Sequence, residues 1–390
     1  MATRLQSITR RPCCGTHGQP VTGSAQGRRS SEGPVASASA PGAPRFMTDR
    51  AATATIRDVA LRAGVSTATV SRVLAGVGNP RPDIAAAVVA AAGALDYRPS
   101  AVARSLRMKR TRTLGLIITD IQNPFFPELV QAADLAARGW GYSILLGSAA
   151  YDEQRAMHYL DLMVDRRVDG MIIASSQLSD ASWKWLATSP VPVVVVNAEP
   201  PGLPITVIAS DNFGAGRLAA EHLVGLGHRR LAYIRGSETF SADGPRSQGF
   251  RAACREAGLP ETDVHELRGD GQFEGGERAV RALLDQACDV TAIGCYNDIT
   301  AIGAMRALRA AGLRVPVDVS VVGCDDIAAA MWVVPALTTV AQQKADMGRL
   351  AVERLAAALA EPDRTAEPET VRLPVVLRER ESTGPAPARA

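Results

Sequence analysis

The chain has 390 residues, of which 46% are hydrophobic and 21% are charged, and its formal net charge at pH 7 is +3. This length suits two or three domains, and no run of 18 or more apolar residues predicts a membrane span. The six cysteines form no Cys-x-x-Cys pair and the five histidines have no metal-ligand spacing, so we predict neither a metal site nor a cofactor.

The charge is unevenly distributed along the chain. Residues 55–112 hold ten Arg or Lys against three Asp or Glu, and residues 1–54 hold seven against two. The remainder holds 26 basic against 35 acidic residues. A basic end on an acidic body predicts that only that end contacts nucleic-acid phosphates.

Residues 1–53 are rich in Arg, Gly, Ser, Pro and Ala and contain almost no bulky apolar residues. Such a segment has too little apolar surface for a core, so we expect it to be disordered. We expect Met47 to be the natural start and the preceding residues to be an extension. The alternative is an arm that adds non-specific affinity for DNA.

Two short helices joined by a tight turn are predicted from Thr55 onward. Thr55 and Asp58 have the spacing of a capping box, Gly64 allows the chain to turn, and Ser66 can cap the second helix. The inward faces of the two helices are Ile56, Val59, Ala60 and Ala63, then Val70, Val73 and Leu74. This pattern is typical of a helix-turn-helix, whose second helix enters the major groove of DNA.

A third helix is predicted from Pro82 to Leu95, because a proline stands near its start and its body is rich in alanine. Pro99 interrupts the pattern, and Ser100 can cap a short helix that ends near Leu106. That helix is too short to be stable alone, so we expect it to order on DNA.

These segments resemble the lactose-repressor (LacI/GalR) family of bacterial transcription regulators. The resemblance is carried by Asp58 to Ala60, Ala63 to Ser66, Thr69 to Leu74 and Tyr97 to Leu106, and it extends to about Glu381. It implies a homodimer, or a higher oligomer, that binds a pseudo-palindromic operator in double-stranded DNA. It also implies a repressor located in the bacterial cytoplasm at the nucleoid, with Leu106 inserted into the minor groove. The expected DNA-binding residues are Thr55, Arg57, Ser66, Thr67, Ala68, Thr69, Ser71, Arg72, Tyr97, Ser100, Ala103 and Leu106, with base reading assigned mainly to Thr67, Ala68 and Arg72.

From Thr113 onward, buried strands alternate with amphipathic helices, which predicts doubly wound parallel sheets. The predicted strands are 114–118, 142–146, 170–174, 193–196, 230–235, 264–268, 292–295, 319–323 and 370–377. The predicted helices are 126–138, 153–166, 181–188, 213–226, 245–257, 274–286, 298–311 and 346–360. The fold class is a small all-α helix-turn-helix head followed by an α/β core of two lobes, which resembles periplasmic binding proteins.

Five segments follow from these patterns. Residues 1–53 are the disordered extension, 54–98 the DNA-binding domain and 99–112 the hinge helix and linker. Residues 113–383 form the two-lobe domain that binds an effector and dimerises, and residues 384–390 form a disordered tail.

Polar and aromatic residues come directly after several of the predicted strands, where ligands bind in open α/β sheets. The resemblance assigns effector binding to Asp120, Asn123, Phe125, Phe126, Asn197, Arg246, Asn297 and Asp325. Carboxylate, guanidinium and amide groups suit the hydroxyls of a sugar or sugar derivative, and a phenyl ring can stack on the apolar face of a sugar. The ordinary alternatives are a capping Asp, a surface-paired Arg and a core Phe pair.

Four positions depart from the family pattern. Ala85 and Ala86 stand where a Thr-Arg pair commonly contacts phosphate, which leaves Arg81 or Arg57 as substitutes. Asn197 stands where well-studied members carry Asp, and Cys324 where an aromatic residue is common. The last two changes leave the identity of the effector open.

Two other classes of function fit the sequence less well. A solute-binding protein of a transport system shares the two-lobe core, but it needs an export signal and has no use for a DNA-binding head. An enzyme is not favoured, because the chain contains no Gly-x-Ser-x-Gly elbow, no P-loop and no strand-preceded Gly-x-Gly-x-x-Gly. The sequence leaves the operator, the regulated genes and the direction of the effector response undetermined.

Overall fold

The structure, a computed structural model, describes residues 54–97, 110–174, 178–198, 202–237, 242–286, 288–361 and 367–388. The predicted disordered extension and the predicted hinge residues Ser100, Ala103 and Leu106 lie outside these ranges.

Three helices form the head: α1 (Ile56–Ala63), α2 (Thr67–Leu74) and α3 (Pro82–Ala94). The carboxylate of Asp58 accepts hydrogen bonds from the backbone N–H and the hydroxyl of Thr55, both at 2.7 Å. Gly64 ends α1 with φ +65°, and the Ser66 hydroxyl caps α2 by accepting the Thr69 N–H at 3.1 Å. The buried core of the head is Val59, Ala60, Val70, Val88, Ala91 and Ala92. The predicted caps and inward faces are therefore confirmed.

Lobe 1 is a six-stranded sheet covered by helices on both faces. Its strand order is β11-β5-β4-β3-β1-β2, and every neighbouring pair is parallel. Its strands are β1 (Thr113–Ile118), β2 (Ser143–Ser148), β3 (Gly170–Ala174), β4 (Val193–Val196), β5 (Thr206–Ser210) and β11 (Thr370–Leu373). Its helices are α4 (Phe125–Gly139), α5 (Glu153–Asp165), α6 (Asp180–Ala187) and α11 (Lys344–Ala360).

Lobe 2 repeats this plan with the order β12-β10-β9-β8-β6-β7, in which only the β10–β12 pair is antiparallel. Its strands are β6 (Leu231–Ile234), β7 (Val264–Leu267), β8 (Ala292–Cys295), β9 (Ser320–Asp325), β10 (Thr338–Ala341) and β12 (Val376–Arg378). Its helices are α7 (Asn212–Gly225), α8 (Asp243–Glu256), α9 (Phe273–Asp285) and α10 (Asp298–Ala310). Short 3₁₀ turns occupy Glu261–Asp263 and Ala328–Met331.

The chain passes between the lobes three times: from β5 to α7, from β10 to α11, and from β11 to β12. Although α11 comes directly after β10 of lobe 2, its residues Met347, Ala351 and Leu355 are buried in the core of lobe 1 beside Leu129 of α4. These three connections place the carboxyl ends of both sheets on either side of one cleft.

The structure corrects the strand assignments at three places. Strands β5 and β10 are absent from the sequence prediction, and the single strand predicted over 370–377 is wrong. Pro374 cannot donate a backbone hydrogen bond, and the chain there splits into β11 of one sheet and β12 of the other.

The predicted disordered tail also begins too early. The carbonyl of Gly384 accepts a hydrogen bond from His228, and the N–H of Ala386 donates to the carbonyl of Leu226. Ser382, just before this segment, is fully buried. The chain is thus attached to lobe 2 at least as far as Ala386.

Candidate functional sites

A cavity lies between the two lobes at the carboxyl ends of their strands. The space between its walls is about 510 Å³, part of which is open to solvent. It is lined by Thr119, Asn123, Phe125, Phe126, Tyr151, Ala174, Val196, Asn197, Arg246, Tyr296, Asn297 and Asp325. Seven of the eight residues predicted to bind an effector thus lie around one cavity.

Asp120 is the predicted residue that does not line the cavity. Its carboxylate accepts a hydrogen bond from the backbone N–H of Gln122 at 3.0 Å and closes the turn before α4. Its neighbour Thr119 lines the cavity instead. Its charge nevertheless acts on Tyr151 in the cavity wall, so its assignment to effector binding stays a prediction.

Phe125 and Phe126 form the apolar wall of the cavity on lobe 1. Their ring centroids are 5.2 Å apart with an interplanar angle of 84°, an edge-to-face pair. The Asn123 side chain accepts the Phe125 N–H at 3.0 Å, which fixes the start of α4. One ring of such a pair can present its face to a flat ligand.

Arg246 on α8 is the buried cation of the site, with 3% exposure. Its guanidinium donates to the side chain of Asn212 at 2.9 Å and to the carbonyl of Tyr296 at 2.7 Å, and it lies 4.8 Å from the centroid of the Tyr296 ring. Its Nη1 is 3.8 Å from Oδ1 of Asp325. Burial opposes its charge, but neighbouring groups including Cys324, Tyr296 and Asp325 outweigh that effect and raise its pKa. The side chain is held rigid and remains charged.

Asp325 ends β9 and faces this cation. Its Oδ1 accepts a hydrogen bond from the Gln342 amide at 2.5 Å. Burial raises the pKa of Asp325, although Arg246 and Lys344 oppose the shift. Asp298 lies in the same buried region, where it accepts hydrogen bonds from Thr339 and from the backbone of Ile327. Burial and the charge of Asp325 also raise the pKa of Asp298.

Two of the three asparagines that line the cavity, Asn197 and Asn297, differ in their free hydrogen-bonding capacity. Asn297 caps α10 by accepting the Thr300 N–H at 2.9 Å, and its amide donates to the carbonyl of Gly271 at 2.8 Å. Asn197 donates to Gln342 at 3.4 Å, but its buried Oδ1 has no hydrogen-bond partner among the described residues. A buried acceptor left unpaired is costly, so Asn197 is the position where a ligand donor would gain most.

Sequence reasoning missed five lining residues: Thr119, Tyr151, Ala174, Val196 and Tyr296. Tyr296 comes directly after β8, so the strand-end rule that selected Asn297 could have found it. Gln342, which bridges Asn197 and Asp325, follows β10 and was missed together with that strand. Burial, followed by the charge of Asp120, raises the pKa of Tyr151 to about 12, so this hydroxyl stays protonated.

The head presents part of its predicted DNA-binding set to solvent. Thr67, Ala68 and Arg72 of α2 are exposed, as is Arg57 of α1. The remaining described members have local roles: Thr55 and Ser66 cap helices, Thr69 bonds to Ser66, Ser71 is buried, and Tyr97 packs on the head core. Arg81 pairs with Asp83 at 2.8 Å.

None of the helices within the described ranges is long and apolar enough to span a membrane. Across the same ranges, His, Cys, Asp and Glu side chains form no group of three or more that could hold a metal ion.

Known protein families match both the head and the two-lobe core of the molecule. Residues 55–100 match the family described as bacterial regulatory proteins, lacI family. Residues 111–381 match periplasmic binding proteins and the sugar binding domain of the LacI family. The chain belongs to the LacI family. It is thus a non-enzymatic DNA-binding transcriptional regulator with an effector-binding domain, which confirms the predicted family and fold class.

Full-length LacI-family relatives match along nearly their whole length. The ribose operon repressor of Escherichia coli K12 is 37% identical over 330 residues, which cover 84% of this chain and 99% of the relative. A Lac repressor dimer bound to operator and the anti-inducer ONPF has a TM-score of 0.76 at 29% identity and covers 85% of this chain and 99% of its own. A complex of the transcriptional regulator CelR with cellobiose has a TM-score of 0.63 at 33% identity, and the match covers 84% of this chain and 99% of that chain.

Proposed function

We propose that this protein is a transcriptional repressor whose affinity for its operator is controlled by a sugar or sugar derivative bound between its two lobes. The observation that carries this proposal is the composition of the cleft. A buried carboxylate, a buried guanidinium and an unpaired amide oxygen surround a cavity that has a pair of phenyl rings on one wall. Hydroxyls arranged around an apolar ring satisfy all of these groups at once.

The head supplies the second half of the function. As a homodimer, the protein would place two α2 helices in successive major grooves of a pseudo-palindromic operator, since one helix reads too few bases for useful specificity. Thr67, Ala68 and Arg72 are the proposed base-reading residues. The site of action is then the bacterial nucleoid.

The relatives support the carbohydrate class. One is a repressor of a ribose operon and another is described in complex with cellobiose. In this chain, the side chain of Asn197 is a neutral amide, and the carboxylate of Asp325 faces the guanidinium of Arg246. Because these two opposite charges balance each other, the cavity favours an uncharged ligand. A role as a transport solute-binding protein would leave the head without a function.

A thermal-shift panel tests the ligand class. D-Ribose, D-glucose, cellobiose and adenine are each titrated into the full chain, because a ligand at 100 times its Kd adds roughly 2.7 kcal/mol to the stability of the folded state. We expect at least one sugar to raise the Tm of the wild type and to have no effect on Arg246→Ala. A shift with adenine alone would contradict the carbohydrate assignment.

A further inference from the structure

Lys344 is a buried lysine at the first position of α11, and its side chain is 4% exposed. Lysine is almost never fully buried unless its charge is paired. A cation at a helix N-terminus also meets the unfavourable end of the helix dipole. The stability of α11 therefore gives no reason for a lysine at this position.

The ammonium group joins the two lobes. Lys344 belongs to lobe 1 through α11, yet its Nζ donates to the backbone carbonyls of Asp325 at 2.6 Å and Asp326 at 3.0 Å, both in lobe 2. On the lobe 1 side, the same Nζ lies 3.3 Å from a carboxylate oxygen of Glu128 on α4. One side chain thus links the helix that begins with Phe125 and Phe126 to the turn that carries Asp325.

That turn has an unfavourable backbone conformation. Asp325 has φ 131° and Asp326 has φ 55°, values that L-residues other than glycine seldom adopt. Such a conformation persists only where surrounding contacts hold it. Arg380 holds the side chain of Asp326 from within lobe 2, and Lys344 holds both carbonyls from lobe 1.

We infer that Lys344 is a positioning residue for the cleft. It fixes the Asp325–Asp326 turn relative to α4 and so sets the distance between the Asp325 carboxylate and the Phe125–Phe126 wall. Lys344 does not itself line the cavity. Its loss leaves every ligand-facing group present but loosens their mutual placement. The part of this inference that concerns affinity rests on the proposed function; the part that concerns the turn does not.

The first test is amide hydrogen exchange of the full chain without ligand. In Lys344→Met, the Asp326 and Ile327 amides should exchange at least tenfold faster, while peptides of the head and of β2 stay unchanged. Lys344→Arg should keep most of the wild-type protection of these amides, because it retains a cation. Arg349→Gln is the matched control, since it removes an exposed charge on the same helix and should leave the turn unaffected.

Glu128→Gln tests the lobe 1 end of the link and remains informative if Lys344→Met fails to fold. Glu128 is half exposed, so the loss of its charge should increase the exchange rate of the same amides by a smaller factor, of about threefold. Unchanged exchange at the turn in Glu128→Gln, or in a folded Lys344→Met, would overturn the inference. A uniform increase across both lobes would also overturn it, because that result indicates general destabilisation.

The second test uses D-ribose as the probe in isothermal titration calorimetry. Lys344→Met should weaken D-ribose binding at least tenfold, whereas Arg349→Gln should bind as the wild type does. Equal affinities for Lys344→Met and the wild type would contradict the positioning role. If the wild type does not bind D-ribose, the choice of sugar fails under the proposed function, and the exchange experiment decides the role of Lys344 separately.

Discussion

At the scale of single residues, the cleft depends on a short relay of hydrogen bonds. The amide of Asn197 donates to Oε1 of Gln342, and the amide of Gln342 donates to Asp325. The relay fixes both amide orientations and leaves the Asn197 oxygen without a hydrogen-bond partner among the described residues. It also places Asp325, with its raised pKa, between Gln342 and Arg246.

Asp325 should make stability depend on pH in a defined direction. Because burial raises its pKa in the folded state, the folded protein binds protons that the unfolded chain has already released. The stability contributed by Asp325 therefore increases as pH falls through the raised pKa and is lost as pH rises. Urea unfolding measures the free energy of unfolding of the wild type and of Asp325→Asn at pH 7.5 and at pH 5. The wild type should gain stability relative to Asp325→Asn when the pH is lowered from 7.5 to 5.

A pKa change of one unit corresponds to about 1.4 kcal/mol, so the relative free energy of unfolding of the two proteins should change by that order between the two pH values. The comparison cancels the opposite contribution of His222 and His228, whose pKa values are lowered by burial. Because the charge of Asp325 also raises the pKa of Asp298, the difference reports both carboxyl groups. A difference that is independent of pH would contradict a raised pKa of Asp325.

A substitution at Arg72 should show whether this residue reads a base or contacts a phosphate. It is exposed on α2 beside the residues at the start of that helix. Arg72→Ala should reduce binding to the operator far more than binding to random DNA, by about 1–3 kcal/mol for the lost base contact. Gel shifts on both DNAs measure this. Equal losses on the two DNAs would make Arg72 a phosphate contact.

At the scale of elements, the turn between α1 and α2 depends on one backbone conformation. Gly64 has φ +65°, and a Cβ added there would meet no atom within 4 Å. Any cost of Gly64→Ala is therefore conformational, of about 1–2 kcal/mol. Gly93 in α3 has equally open surroundings but a helical backbone, so Gly93→Ala should stabilise the head by about 0.4–1 kcal/mol.

Hydrogen exchange of the head amides in the full chain measures both changes. Protection should fall in Gly64→Ala and rise in Gly93→Ala. The same change in both variants would mean that the positive φ of Gly64 is not what shapes the turn.

Two strands of lobe 1 were predicted with their observed bounds because their hydrophobic pattern is local. Strands β3 and β4 are continuous apolar runs, as fully buried parallel strands should be, and both were predicted with the observed bounds. Strand β10 begins with Thr338 and Thr339, which are buried among polar partners from other elements. Its burial depends on contacts distant in sequence, which a local pattern does not contain.

The same limit applies to the candidate site. Strand-end positions and family resemblance identified Arg246, Asn297 and Asp325 from local sequence. The strand-end pattern did not show that the Asp120 carboxylate closes its own turn just outside the cavity lining. The bridge from Gln342 to Asn197 joins residues 145 positions apart, and only the folded chain brings them together.

At the scale of the whole molecule, the central claim is that the cleft and the head are coupled. Strands β1 and β3 begin near the linker, where both carboxylate oxygens of Asp169 accept the backbone N–H groups of Thr111 and Arg112. The same strands lead at their other ends to Thr119 and Ala174 in the cavity wall. We therefore expect a shift of lobe 1 on ligand binding to reach the linker that leads to the head.

The most direct test is operator affinity, measured by fluorescence anisotropy with and without the sugar that stabilises the wild type. Coupling of this kind typically amounts to 1–3 kcal/mol, so the operator Kd of the wild type should change by about 5- to 150-fold. Arg246→Ala should bind the operator as the free wild type does and should not respond to the sugar. An undiminished response in Arg246→Ala, or a wild type whose operator affinity ignores a bound sugar, would contradict this account.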